Sequence, residues 1–437
     1  MQMHRKDETP RGVSHCGMTR RTFLSAVASA VAVPYVIKSS ALGANGRAPA
    51  SERLVMAAIG AGGQGTRHIG GGIWVQGGGF LSKPDVQFVA VCDVNKNNLN
   101  YARDIVNKYY GNNNCKTYGD YRELLARDEI DIILCATGDR WHTPVSIAAA
   151  KAGKDIYCEK PISLTVYEAR TLAHSIRRYG RIFQSGIQQR SWHEFRFACE
   201  LVRNGYIGQL KHITVNVGGP PSECNLPDGG PPPDWLDYDM WLGQAPWRPF
   251  HPGLLGWMAW KDYSGGEMTN WGMHMFDIAQ WGAGMDESGP VEIIPPDGKD
   301  YRVLTYKYAS GATMVRDTIT RPEPGVIFEG SEGKIEVTRE YLATEPNHLI
   351  RQKIGPNEIH LYESKNHPDN FIECVKTRKR PASDADVGYR SITVCHLGNI
   401  AYWLKRPLKW DPQNEKFVND HEADRMLWRE MRSPWTI

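Results

Sequence analysis

Leu54-Val55-Met56-Ala57-Ala58-Ile59-Gly60-Ala61-Gly62-Gly63-Gln64-Gly65 decides the fold. Six apolar residues make a short buried strand, and the next six fit the spacing GxGxxG. Glycine is abundant, with 43 residues, so the spacing by itself would also suit a glycine-rich surface turn. The strand before it, and a helix expected from Thr66, supply the context that a dinucleotide site needs. Glycines there permit a tight turn and let a pyrophosphate approach the helix N-terminus. Gly60, Gly62, Gly63, Gln64 and Gly65 are therefore candidate cofactor-binding residues.

Working outward, a strand over 86–92 ends in Asp93. An acid at that place accepts hydrogen bonds from the adenine ribose hydroxyls and repels a 2′-phosphate, which favours NAD over NADP. It could also cap a turn. Asp93 comes later than the usual spacing of about 20 residues, because a glycine-rich insert, 70–84, precedes its strand. Alternation continues with a helix over 121–126, a strand over 130–136 and the turn Thr137-Gly138-Asp139-Arg140-Trp141-His142. Then come a helix over 144–152, a strand from Asp155, a helix over 166–179 and a strand over 181–185. Such alternation predicts a doubly wound parallel sheet. The strand ends at Gly60, Thr137 and Glu159 then share the edge where ligands bind.

The strand from Asp155 reads Asp155-Ile156-Tyr157-Cys158-Glu159-Lys160-Pro161. It delivers an acid and a base to that edge. Pro161 removes a backbone donor and fixes its own φ, which holds the lysine at the turn. Lys160 is the candidate catalytic residue.

After residue 190 the pattern changes. A crossover through Gln188-Gln189-Arg190 and a helix over 194–204 lead to a strand of a second sheet, 210–217. Loops rich in proline and glycine follow. Seven of the fourteen tryptophans fall between Trp235 and Trp281. Indole faces suit sugar rings, although most of these residues belong to core or interface on ordinary grounds; one or two are expected to touch substrate. The stretch Gly265-Gly266-Glu267-Met268-Thr269-Asn270-Trp271-Gly272-Met273-His274 reads as a helix continuing to about Gly282. Its Asn270, His274 and Asp277 share a face. Further strands are expected over 303–308 and 313–319, a hairpin turn over 330–335, and helices over 367–379 and 390–404. The tail, 410–437, reads as a surface wrap.

Length and composition set the frame. A chain of 437 residues, 41% hydrophobic and 23% charged, is a globular protein of more than one domain. Net charge is +3 and no basic-aromatic array occurs, which argues against nucleic acid as a partner. Thr19-Arg20-Arg21-Thr22-Phe23-Leu24, an apolar run to Ile37 and then small residues read as a twin-arginine export signal. A membrane anchor is the alternative, but the run is short and carries Pro34. Export to the periplasm or beyond is expected, with no stable membrane span after signal removal. Of nine cysteines, Cys92, Cys135 and Cys158 sit at strand ends as small buried residues, and no metal-binding spacing appears.

The GxGxxG strand, Asp93, the Thr137…His142 turn, Glu159-Lys160-Pro161 and the Asn270…His274 helix together resemble the Gfo/Idh/MocA family of oxidoreductases. The resemblance implies an N-terminal Rossmann domain, a doubly wound parallel sheet, over 51–190. It implies an α/β substrate and oligomerisation domain with an open, mostly antiparallel sheet over 191–365. Residues 1–50 are then signal and linker, and 366–437 pack back on the first domain. It adds Thr137, His142, Glu159, Lys160 and Gln188 to the cofactor-binding candidates. Catalysis by Lys160, His274 and Asn270 is implied, with NAD as cofactor, no metal, a carbohydrate substrate and a homo-oligomer. Two positions depart from the family pattern. Gly138 stands where proline is usual, and Asn270 where an aspartate is usual; an amide can orient His274 but adds no charge. Oxidation of a sugar hydroxyl is the first expectation. Redox-neutral, NAD-dependent glycoside cleavage is the second, because an exported cofactor must be regenerated in place. A non-catalytic sugar-binding relative is the third.

Overall fold

The computed structural model describes residues 47–73, 75–317 and 323–437. The expected export signal lies outside the described residues, as do Thr318 and Ile319 at the end of one expected strand. The chain divides at Ser51/Glu52, and Glu52–Ile437 form one compact unit.

Six strands build the first sheet. They are β1 (Leu54–Ile59), β2 (Val86–Cys92), β3 (Lys116–Tyr118), β4 (Ile132–Cys135), β5 (Asp155–Cys158) and β6 (Phe183–Ser185). All pair in parallel, in the order β3-β2-β1-β4-β5-β6. β4 and β5 are buried along their whole length, as strands covered on both faces must be. Helices α1 (Gly63–Gly70), α2 (Lys96–Tyr110), α3 (Tyr121–Leu125), α4 (Asp139–Lys151) and α5 (Val166–Tyr179) make the crossovers. The order reverses between β1 and β4, so the ends of β1, β4 and β5 open side by side, at the switch point where a ligand lodges.

α4 begins at Asp139, not at Pro144 as proline's preference for a first turn suggested. Proline inside a helix leaves the carbonyl four residues earlier without a donor. That carbonyl belongs to Arg140, and the side-chain amide of Gln244 donates to it. A contact from the second domain thus makes the early start tolerable.

The second sheet has nine strands, adding β7 (Leu210–Asn216), β8 (Glu292–Ile294), β9 (Leu304–Lys307), β10 (Thr313–Asp317), β11 (Gly325–Gly330), β12 (Lys334–Thr338), β13 (Leu342–Glu345), β14 (Leu408–Asp411) and β15 (Lys416–Phe417). Its order is β13-β12-β11-β7-β10-β9-β8-β14-β15, antiparallel except for the β7–β10 pair. The tail is therefore not a mere wrap. Leu408 and Trp410 point inward between outward Lys409 and Asp411, and β14 pairs with β8.

Against the sheets pack α6 (His193–Arg203), α7 (Tyr238–Leu242), α8 (Glu267–Asn270), α9 (Gly272–Ala283), α10 (His367–Thr377) and α11 (Ala385–Leu404). α10 returns to the first domain: Phe371, Cys374 and Val375 share a core with Phe80, Phe88 and Tyr157. The expected helix over 265–282 is split at Trp271 into α8 and α9. Among the described residues no helix is long and apolar enough to cross a membrane, and no cluster of His, Cys, Asp or Glu is set to hold a metal ion.

Candidate active site

The glycine loop between β1 and α1 floors a cavity of about 390 Å³, lined by Gly60, Gly62, Gly63, Gln64, Asp93, Asn95, Thr137, Gly138 and Arg140. Gly60 has φ +90°, and a Cβ on it would stand 2.4 Å from the Ala136 carbonyl carbon. A Cβ on Gly65 would stand 2.3 Å from the Gly60 carbonyl oxygen. Only glycine permits the turn at the first position and the close strand–helix packing at the second. Gly63 differs, because nothing lies within 4 Å of where its Cβ would be. That bare backbone at the head of a helix is a cradle for phosphate.

Asp93 closes the far side. Its carboxylate accepts from the backbone N–H of Ala61 at 2.7 Å and of Asn95 at 2.8 Å. Burial pushes its pKa upward, and with a third bond from the Asn98 side chain the carboxylate still keeps a lone pair for a ribose hydroxyl. Trp241 and Trp257, from the tryptophan-rich segment, line the same cavity. Backbone bonds dock that segment beside Asp93: Lys96 N–H donates to Trp235 O at 2.8 Å, and Asp237 N–H to Val94 O at 2.9 Å.

Arg140 was not singled out by its sequence position. Its guanidinium lies 4.3 Å from the Trp241 ring, and Nε donates to the Trp241 carbonyl at 3.0 Å. Its Nη1 is buried beside Gly138 with no hydrogen-bond partner among the described residues. Burial lowers its pKa to about 10, so it remains a cation at neutral pH. An orphaned donor in the cavity, a bare glycine cradle and a buried acid next to it fit an NAD molecule.

The other cofactor-binding candidates stand behind the cavity wall. Glu159 accepts from His68 Nε2 at 2.5 Å, and both are buried. Burial opposes its charge, but His68, then Lys160 and His142, hold its carboxyl below the usual range. His142 Nδ1 donates to the Pro161 carbonyl at 2.6 Å, and Thr143 Oγ1 to the Ile162 carbonyl at 2.7 Å. Two neighbouring residues of α4 thus pin the turn after Lys160. Gln188 accepts from Gln76 N–H at 2.9 Å, which ties the glycine-rich insert to the crossover.

Lys160 meets the second domain. Its Nζ donates to Asn270 Oδ1 at 2.5 Å, and Asn270 Nδ2 donates to Glu267 Oε1 at 3.0 Å. Burial lowers the lysine's pKa, while Glu159, Asp139 and Glu267 pull it back up. Asp139 is buried, accepts from Ser264 Oγ at 2.7 Å, and is pushed by burial to about 7.

His274, on α9, is buried against Gln189 and Arg339. With its amide satisfied at both ends, Gln189 donates to His274 Nδ1 at 2.5 Å and accepts from Arg339 Nη2 at 3.0 Å. Nδ1 is then an acceptor, and Arg339 Nη2 also lies 3.4 Å from Nε2 of the same ring. Burial, Arg339 and Lys160 all hold the pKa well below the ordinary value, so the ring is neutral at physiological pH. Arg339 lies 4.5 Å from the ring of Trp271 and 5.8 Å from that of Trp192. Asp277 serves elsewhere: Arg190 Nε donates to it at 2.8 Å and Ser391 Oγ at 2.6 Å. Gln189, Arg339, Glu267 and His68 carry no motif; the one sequence signal was that Glu159, Asn270 and His274 each needed a partner.

Two family models match the chain. An NAD-binding Rossmann model of the Gfo/Idh/MocA oxidoreductase family covers residues 54–187, and its C-terminal α/β domain model covers 225–437. Myo-inositol 2-dehydrogenase of Thermotoga maritima is 26% identical over 320 residues, spanning 67% of this chain and 84% of its own. A glycosyl hydrolase family 109 protein from Shewanella sp. strain MR-4 is 30% identical over 198 residues. That match covers 45% of this chain and 41% of the Shewanella protein. Among solved structures, the aldose-aldose oxidoreductase of Caulobacter crescentus shares the fold, with TM-score 0.56 and 19% identity over 82% of this chain and 99% of its own.

Proposed function

The chain belongs to the Gfo/Idh/MocA oxidoreductase family, and from there we propose that it oxidises a hydroxyl of a sugar or sugar derivative, with Lys160 as the base. Bound NAD would supply the hydride acceptor. The observation that carries the reading is the convergence of Lys160 on Asn270, with His274 on the adjoining helix, at the carboxyl edge of the parallel sheet. Lys160 takes the hydroxyl proton, since burial makes its neutral form accessible. His274 orients the oxygen by a hydrogen bond from its neutral ring. Trp271, stacked on Arg339 beside His274, is the indole best placed for a sugar face.

The experiment is to purify the protein, assay bound NAD(H) by absorbance and mass, and add candidate sugars and inositols. A change in redox state supports the reading. Absence of cofactor, with none taken up on titration, ends it. A second reading, redox-neutral glycoside cleavage, is favoured by the Shewanella relatives. Release of nitrophenol from a nitrophenyl glycoside with no net change in NAD(H) would select it. The twin-arginine stretch supports export, which fractionation tests, and sedimentation tests the homo-oligomer.

A further inference from the structure

Lys160 is a half-buried cation whose direct hydrogen-bond partner is a neutral amide. An asparagine between an ammonium and a carboxylate has one satisfying orientation, with oxygen toward the donor and NH₂ toward the acceptor. Asn270 adopts it, with Oδ1 on Lys160 and Nδ2 on Glu267 one turn earlier. Space for that carboxylate is provided by Gly218, where a Cβ would stand 2.4 Å from Glu267 Cβ. The next residue is fixed as well, for Met268 N–H donates to Gly219 O at 3.0 Å.

We propose that Glu267 is a positioning residue for Lys160: it locks the Asn270 amide with its carbonyl toward the ammonium and supplies, one amide away, the negative charge that Asn270 lacks. The role rests on Lys160 being the base of the reaction proposed above. Every element around Lys160 contributes a charged or titratable group: Glu159 on its own strand end, Asp139 on α4, Glu267 on α8, His274 on α9 and Arg339 after β12. Of the three acids, Glu159 is engaged by His68 and Asp139 by Ser264, whereas Glu267 reaches Lys160 through a shared hydrogen-bond chain.

The test is Glu267→Gln, read by NMR titration of lysine labelled with ¹³C at Cε, with Lys160→Met assigning the signal. Removing a carboxylate at this distance is expected to lower the Lys160 pKa by about one unit. The ascending limb of kcat/KM, set by loss of the Lys160 proton, should move down with it, while KM changes little. Glu267→Gln combined with Asn270→Asp should restore the titration, because the charge is then placed directly on the lysine. Should Glu267→Gln not fold, Glu267→Asp keeps the charge but withdraws the contact, and a smaller shift in the same direction is expected. An unmoved Lys160 signal in whichever variant folds overturns the proposal. The titration needs no substrate, so a shift seen without any sugar oxidation would reject the reaction while leaving the coupling of Glu267 to Lys160 through Asn270 in place.

Discussion

The two halves of the site are built by opposite means. The dinucleotide half is centred on one contiguous stretch of backbone, where glycines at 60 and 65 leave no room for a side chain and Gly63 leaves its space open, with Asp93 and Arg140 completing its walls. The proton-transfer half is all side chains, drawn from Lys160, Gln189, Glu267, Asn270, His274 and Arg339. Backbone shape comes from local sequence and leaves no room for a side chain at Gly60 or Gly65. Side-chain chemistry is assembled across the chain and can be relayed, so one acid can stand in for another. The difference teaches that cofactor binding and proton transfer should fail separately.

Lys160→Ala tests that separation most severely. A loss of about 10²–10⁴ in turnover is expected for a missing general base, with NAD content of the purified protein unchanged. Loss of both together would break the comparison. His68→Ala comes next, because it strands the buried Glu159 carboxylate. Breaking a buried pair costs about 3–5 kcal/mol, read as a lowered denaturant midpoint. Gly65→Ala should cost about 1–3 kcal/mol through overpacking and weaken NAD binding, read by titration of the stripped protein, while leaving the Lys160 signal in place. The smallest effect is on pH dependence. Lys160 is pulled down by burial, so activity should rise with pH along a limb below the ordinary lysine range. His274 is held neutral well below its ordinary value, so His274→Gln should reduce turnover by about tenfold to a hundredfold without moving that limb. A limb that shifts with His274 would reassign the base.

Much of this was legible because period and punctuation are local. β1, β2 and α5 begin and end where apolar runs, glycines and the Thr165 cap place them. The failures had physical causes. α4 starts early because a side chain from residue 244 satisfies what Pro144 leaves open. Trp271 splits the expected helix, so Asn270 and Asp277, although spaced along one face, meet Lys160 and Arg190 respectively. The tail strand was masked by charges that alternate with Leu408 and Trp410. In the site, residues inside motifs could be read, but their partners could not, because no local pattern specifies what lies across a domain boundary.

The defect at Pro144 has a consequence for how such a molecule diversifies. A helix that leaves one carbonyl unserved offers a socket on an otherwise closed surface. The Gln244 plug and the Trp241 carbonyl held by Arg140 add two anchorages to the backbone bonds that dock the tryptophan-rich loop at Val94 and Lys96. Residues of that loop outside these contacts and outside its buried cluster of Leu236, Leu242, Phe250, Leu254 and Tyr263 can change without the loop losing its seat over the cavity. Substrate range can then drift by loop exchange while the redox half stays as it is.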